Sequence, residues 1–351
     1  MAGNEHGGAE TAFVDTCIAM HQSDLDNTLD IRVLTRPNKI RVPALQKAGI
    51  DVHTLPFGGP LDFYTPYAIA RHVKDFKPDI IQSWMSRAAS KVKTSAKYAH
   101  KRHLAIHVAR LGNYYKLKNF GSADAFVTIT SKIQDYLEQN GIPPEDIKHI
   151  NNFADTENPL GTDIRKDRNI PADTPLLLAL GRLHDDKAYD ILLLAMTDIP
   201  KAQLLIAGEG PDKDKLKTLA QSLGLSGRVH FLGWRTDRAD LFKAADICVF
   251  ASRDEPFGTV FVQSWMHKTP VVVSDADGPK AYVRNGEDGL VVKKENPAEL
   301  TKAINTLINE PPLQEILIKN GYQRYLNEFT KEGTIEDYKK FYDDLIKRKS
   351  P

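Results

Sequence analysis

From residue 29 onward, short runs of β-branched and apolar residues alternate with longer stretches in which apolar positions recur at spacings of three and four. The runs "DIRVLT" (30–35), "DVHTLPF" (51–57), "DIIQSWM" (79–85), "LAIHVAR" (104–110) and "AFVTIT" (125–130) read as strands. Stretches such as "PYAIARHVKDF" read as the helices between them. A regular strand-helix alternation predicts a parallel sheet, because parallel neighbours need a crossover and the crossover helix covers a sheet face. The segment 141–159, "GIPPEDIKHINNFADTENP", is rich in Pro, Asn and Asp and reads as a return strand followed by a linker. The alternation then restarts with "PLLLALG" (175–181), "AQLLIAG" (202–208), "RVHFLG" (228–233), "DICVFAS" (246–252), "PVVVSD" (270–275) and "GLVVK" (289–293). Several of these are apolar throughout, as strands buried on both faces should be. "DKDKLKTLAQSLG" closes on a capping glycine, and "NPAELTKAINTLI" opens on Asn296 with Pro297 in its first turn and Glu299 three after the cap. Charged helical sequence fills 311–349. The expected class is α/β: two Rossmann-like, doubly wound parallel-sheet domains over 1–155 and 156–325, and a helical segment, 326–351, packing back across them.

The length of 351 residues agrees, since one ordinary core serves about 150. Charged residues make up 26% and hydrophobic ones 41%, the balance of a globular chain and not of a disordered or fibrous one. No apolar run approaches the ~20 residues of a spanning helix, and "MAGNEHGGAE" is no signal peptide, so a cytoplasmic location is expected. Cys17 and Cys248 stand far apart in apolar contexts, which excludes a disulfide framework and predicts two buried core thiols. A net charge of +1 argues against nucleic acid as a partner. The charge is unevenly placed: residues 80–123 hold no Asp or Glu and nine Lys or Arg, namely Arg87, Lys91, Lys93, Lys97, Lys101, Arg102, Arg110, Lys116 and Lys118. Two readings stand: a solvated helix face, or a surface at 87–118 that attracts an anionic membrane or acceptor.

Ligands of open parallel sheets lie beyond the carboxyl ends of the strands, where helix starts offer unpaired N–H groups. "LGRLHDDK" (180–187) leaves a strand through Gly181 and presents Arg182 and Lys187, two cations suited to a diphosphate; the alternative is a surface pairing of Arg182 with Asp185 or Asp186. "GEGPDKDK" (208–215) is a turn in which Gly208 and Gly210 answer to geometry, and Lys213 breaks the dinucleotide pattern G-x-G-x-x-G. "FLGWRTD" (231–237) ends a strand with Gly233 and Trp234, where a nucleobase or simple packing is possible. "SRDEPFGTVFVQSW" (252–265) puts Glu255 at a strand end and the amides of Phe257, Gly258 and Thr259 at a helix start. A carboxylate can accept from ligand hydroxyls while the amides favour an anion, and a polyol joined to a phosphate is a sugar nucleotide. Gln263, four residues into that helix, faces a site or is a bonded core amide. Gly7 and Gly8 precede a helix with Glu10 in its first turn and would admit a phosphate or acceptor, or belong to a plain flexible terminus. His107, near the end of "LAIHVAR", is a candidate for the reacting centre or a core histidine. His184 and His267 show no metal-ligand spacing.

Taken together, "GGAE", "GRLHDDK", "GEGP", "FLGW", "EPFGTVFVQ", "PVVVSDADGP" and "NGEDGLVV" resemble the family 4 glycosyltransferases of the GT-B fold, including bacterial lipopolysaccharide and glycolipid enzymes, along nearly the whole chain. The resemblance implies retaining, metal-independent transfer of a sugar from a UDP- or GDP-linked donor, with no cofactor, in a cleft between two lobes. The acid-free basic stretch belongs to the first lobe, which in this fold faces the acceptor, so a glycan or lipid-linked acceptor in lipopolysaccharide or cell-envelope synthesis, at the inner face of the membrane, is expected. By matching positions, Arg182 and Lys187 would hold the diphosphate, and Glu255 with the amides of Phe257, Gly258 and Thr259 would bind sugar and phosphate. Gly7 and Gly8 would border donor and acceptor. The family's second glutamate, which grips the ribose, is Gln263 here. The family also begins with an apolar strand ahead of the glycine pair. This chain opens on "MAGNEH", so the first sheet is expected to lack a central member unless the true start lies upstream. The competing accounts are a non-catalytic sugar-nucleotide-binding protein and, from Asp275 and Asp277 in "SDAD", a metal-dependent GT-A transferase.

Overall fold

The computed structural model describes residues 1–3, 7–23, 29–96, 105–155 and 159–349. The chain forms two compact units, Met1–Asn152 with Lys331–Pro351, and Phe153–Thr330.

The first unit carries strands β1 (Arg32–Thr35), β2 (Asp51–Thr54), β3 (Ile80–Trp84), β4 (Ile106–Leu111), β5 (Ala125–Thr128) and β6 (Ile147–His149). Its helices are α1 (Gly8–Gln22), α2 (Arg41–Lys47), α3 (Tyr64–Phe76), α4 (Met85–Ser95) and α5 (Ser131–Gln139). All strand pairs are parallel, and the sheet comes in two pieces, β1-β2 and β3-β4-β5-β6. Residues 1–3 run beside β1, where the Met1 amino group donates to the Leu34 carbonyl at 2.8 Å. Met1 packs with Phe13 and Trp84, and Ala2 with Phe57 and Ile69. Both cysteines are buried and unpaired, and burial pushes each thiol up to about 12.

The second unit holds α6 (Ile164–Asp167), β7 (Leu176–Leu180), α7 (Tyr189–Thr197), β8 (Gln203–Ala207), α8 (Lys213–Ser222), β9 (Val229–Gly233), α9 (Arg238–Ala244) and β10 (Ile247–Phe250). It continues through α10 (Thr259–Met266), β11 (Val271–Ser274), α11 (Asp277–Tyr282), β12 (Leu290–Val292), α12 (Pro297–Asn309) and α13 (Pro311–Glu328). Its six parallel strands lie in the order β12-β11-β10-β7-β8-β9. The chain therefore winds outward from β7 to β9, then returns to β10 on the other side, and the order reverses between β7 and β10. Loops leaving the two strands at such a point diverge and open a crevice, which is where ligands of this architecture bind. β7, β10 and β11 are buried at every position, which is why their sequences are apolar without alternation. Asn296 caps α12 through the Glu299 amide at 3.0 Å, with Pro297 in its first turn.

The last helix, α14 (Lys331–Lys349), belongs to the first unit. Its buried Tyr338 accepts from Arg110 Nε at 3.1 Å, and Tyr342 bonds Gln82.

Candidate functional site

At the carboxyl ends of β7, β8 and β9 three glycine turns stack backbone to backbone. Gly181 N donates to the Ala207 carbonyl at 3.0 Å, and Gly208 N to the Gly233 carbonyl at 2.8 Å. Leu183 N donates to the Glu209 carbonyl at 3.0 Å. A Cβ on Gly208 would lie 1.8 Å from the Gly181 oxygen, and one on Gly210 would lie 2.2 Å from the Leu183 oxygen. Only glycine permits that approach. The turn at 208–215, which the sequence explained by geometry alone, is thus part of the floor on which the Arg182 loop rests.

From this floor the chain makes a short 3₁₀ turn, Asp185–Lys187, and Ala188 follows in the left-handed region with φ of 51°. That turn throws Lys187 back toward β10, where its ammonium meets the carboxylate of Glu255. Both side chains are sheltered, at 24% and 14% exposure, so the pair sits in a recess and not on open surface. Arg182 is exposed and, among the described residues, makes no hydrogen bond or ion pair. The surface pairing offered as its alternative is not formed: Asp186 pairs with His184, and Asp185 with Arg253.

Glu255 is held by its own backbone, whose carbonyl accepts from Gly278 N at 2.7 Å. Gly278 has no room for a side chain, since a Cβ would lie 2.4 Å from the Phe257 oxygen. Gly258 ends the loop at φ 86°, with a Cβ position 2.5 Å from the Phe250 ring. α10 then begins at Thr259 without any side-chain cap, so its first-turn amides are not consumed by the protein's own side chains. Phe257 is buried among Phe261, Tyr282 and Phe329, which anchors the loop. Gln263 is half-buried in the second turn of α10. Trp234, directly after Gly233, is 66% exposed, so simple packing does not account for it.

Behind Lys187 lies a small cavity that it lines with Tyr189, Phe250 and Ser252. The Tyr189 and Ser252 hydroxyls are buried and find no partner among the described residues. Burial pushes the Tyr189 phenol up, so it stays protonated.

The first unit corrects several expectations. His107 is the second residue of β4, at the amino end of the strand and not near its carboxyl end, because the strand starts at Ile106. It is 4% exposed, with Nε2 at 2.8 Å from Ser83 Oγ and Nδ1 at 3.0 Å from Ser122 Oγ. It is a core histidine, removed from the strand ends where reacting groups gather. Gly7 caps α1, but a Cβ there would lie 2.3 Å from a Glu10 oxygen, so the chain's own carboxylate occupies that side of the helix start. Gly8 faces open space. Of the basic stretch, Lys91 and Arg110 are buried and engaged. Lys91 donates to the carbonyls of Gly59 and Asp62, and Arg110 lies 3.9 Å over Trp84 and bonds Asn152. Arg87, Lys93, Lys116 and Lys118 are exposed, while Lys97, Lys101 and Arg102 lie outside the described residues.

Among the described residues no group of three or more His, Cys, Asp or Glu is placed to hold a metal ion. In "SDAD", Asp275 accepts from the Lys294 amide at 2.9 Å, and Asp277 begins α11. Sequence reasoning passed over Arg253, Asp190, Tyr189 and Gly278. The glycine stood in a quoted motif without a role, and the others carry no local pattern that sets them apart from ordinary helix and loop residues.

Two family models match the chain: "Glycosyltransferase Family 4" over residues 6–158 and "Glycosyl transferases group 1" over 162–324. The lipopolysaccharide core biosynthesis glycosyltransferase LpsE of Rhizobium meliloti is 30% identical over 340 residues, covering 95% of this chain and 94% of its own. LpsD of the same organism is 28% identical, with 96% and 95% covered. Among solved structures, Anabaena HepE in complex with UDP superposes with a TM-score of 0.82 at 21% identity, over 98% of both chains. The apo lipopolysaccharide outer core galactosyltransferase WaaB does so at 0.75 and 18%, again over 98% of both. The two units of parallel strands, the glycine floor under a cation loop and these whole-length matches agree: the chain belongs to the family 4 glycosyltransferases, with the GT-B fold.

Proposed function

We propose that the protein moves a sugar, with retention, from a UDP-linked donor to a lipid-linked or lipopolysaccharide-type acceptor. The observation that carries this reading is the meeting of Lys187 and Glu255 above the glycine floor, with Arg182, unpaired among the described residues, in the same loop as Lys187 and uncapped amides at the start of α10. On arrival a diphosphate takes the Lys187 ammonium and the Arg182 fork, and frees the Glu255 carboxylate to accept from sugar hydroxyls. The bond between the anomeric carbon and the β-phosphate oxygen then breaks. The acceptor oxygen bonds the same face of that carbon, and its proton leaves on the phosphate. Cations fixed where the negative charge develops lower the barrier, most of all in a sheltered recess. Trp234 offers a face for the base, and Gln263 an amide for the ribose.

The UDP in HepE structures supports the choice of nucleotide, and the lipopolysaccharide roles of LpsE, LpsD and WaaB support the acceptor class. Among the described residues no helix is long and apolar enough to cross a membrane. Contact with an anionic membrane would then be peripheral, through the exposed cations of 87–118.

A thermal-shift screen of UDP- and GDP-sugars identifies the donor, and turnover of that donor is then compared in Glu255→Ala and Arg182→Ala. Losses of about a hundredfold or more are expected; wild-type rates in both would remove the reading.

A further inference from the structure

Arg253 stands two residues before Glu255 and reaches three elements at once. Its NH1 and NH2 grip the two carboxylate oxygens of Asp190, in the first turn of α7, at 2.9 and 2.6 Å. NH1 also donates to the Asp185 carbonyl at 2.7 Å, and the Arg253 amide donates to the Asp186 carbonyl at 2.7 Å. Nε pairs with Glu295, just ahead of α12, while NH2 lies 3.2 Å from the other oxygen of that carboxylate. Asp185 and Asp186 are the first two residues of the 3₁₀ turn whose third is Lys187. One residue thus satisfies the carbonyls of the turn that aims Lys187, from the loop that carries Glu255.

The side chain is 21% exposed, and the fork on Asp190 is of the bidentate kind that fixes orientation as well as distance. Burial alone would push Asp190 up, but its bonds to Arg253 outweigh this and hold the carboxyl below the usual range. A three-residue 3₁₀ turn followed by a left-handed alanine has few bonds of its own, so its position depends on what grips it. We propose that Arg253 is a positioning residue: by clamping the Asp185–Lys187 turn to the Glu255 loop and to α7, it sets where the Lys187 ammonium stands and so how well the site holds a diphosphate. This rests on the reading of Lys187 as a diphosphate ligand. In this assignment Arg253 acts through Lys187 and not on the substrate.

The test is a double-mutant cycle on binding of UDP, followed by calorimetry, with GDP in parallel. Lys187→Ala is expected to weaken the bound diphosphate by about tenfold or more, as the loss of a charged contact should. Arg253→Met should do nearly the same, and the double variant should bind no worse than Lys187→Ala alone. Arg253→Lys keeps the charge but lacks the fork and cannot grip Asp190 and the Asp185 carbonyl together, so it should fall with Arg253→Met. Melting curves on every variant separate misfolding from misplacement, because a purely structural loss would lower affinity equally whether or not Lys187 is present. Wild-type affinity in Arg253→Met or Arg253→Lys, or losses that multiply in the double variant, would overturn the inference. If Lys187→Ala alone binds UDP and GDP like the wild type, it is the reading of the site that fails.

Discussion

Two residues show how position, not type, decides what a polar side chain does. By the family resemblance Gln263 stands at the position of a glutamate, and in the proposed site its amide would span two ribose hydroxyls. A carboxylate bonds them more strongly by about 1 kcal/mol. Gln263→Glu should therefore tighten UDP binding about fivefold, read by titration calorimetry; unchanged or weaker binding would remove Gln263 from the ribose contact. Asp62 is the opposite case, a charged residue used for structure. Burial would raise its carboxyl, but the Thr65 hydroxyl and amide, the Gly58 amide and the Lys91 ammonium outweigh that and hold it down to about 2, from 3.8. The folded state binds the proton less tightly than the unfolded chain, so the contribution is complete above the unfolded value. It is lost as pH falls through 3.8 toward 2. It amounts to about 2 kcal/mol. Asp62→Asn should cost about that much in urea melts at pH 6 and almost nothing near pH 2, and a difference that stays flat with pH would contradict the assignment.

At the scale of elements, the strands were legible because β7, β10 and β11 lie between two helix layers and need apolar residues at every position. The glycines of the site were legible as punctuation, yet their purpose was not. That Gly208 must abut Gly181 is a fact about strands β7 and β8 lying side by side, which no local pattern records. His107 misled for a related reason: an apolar run does not mark where pairing begins, and only the register against β3 shows that the strand starts at Ile106, one residue before His107. Arg253 stayed hidden because its partners, at 185, 186, 190 and 295, come together only in the folded unit. The glycine stack carries its own prediction. Gly208→Ala forces a methyl to within 1.8 Å of the Gly181 oxygen, so either the Arg182 loop shifts or the β8 turn does. We expect a loss of about 2–4 kcal/mol in stability together with failure to bind UDP. Gly224→Ala, with open space around it but a φ of 71°, should cost only about 1 kcal/mol and leave binding intact.

For the whole molecule the question is how a chain with a net charge of +1 would find an acceptor held in a membrane. Net charge gives no pull, so any attraction must come from separation of charge along the chain, and the acid-free stretch supplies it. The structure narrows the source: Lys91 and Arg110 are consumed inside the first unit, leaving Arg87, Lys93, Lys116 and Lys118 exposed. Lys91 spends its charge fastening the loop 58–63, and that loop with the start of α3 presents Leu61, Phe63 and Tyr64 at 85%, 64% and 62% exposure. Arg87 lies one turn before Lys91 on α4, so a cation and a rigid apolar edge stand on the same side of the first unit. An anionic bilayer suits both, attracting the cations from a distance and accepting the apolar side chains at its interface. We therefore expect the protein to co-sediment with phosphatidylglycerol-containing vesicles and not with pure phosphatidylcholine, and to be released by salt. Arg87→Glu with Lys93→Glu reverses two charges. At about 1 kcal/mol per charge placed near the surface, the four units of change should weaken binding by about a hundredfold or more. Phe63→Ser with Tyr64→Ser should lower binding at high salt, where only the apolar edge still holds. Equal sedimentation of the wild type and both double variants would separate the basic stretch from any membrane role and return it to a solvated face.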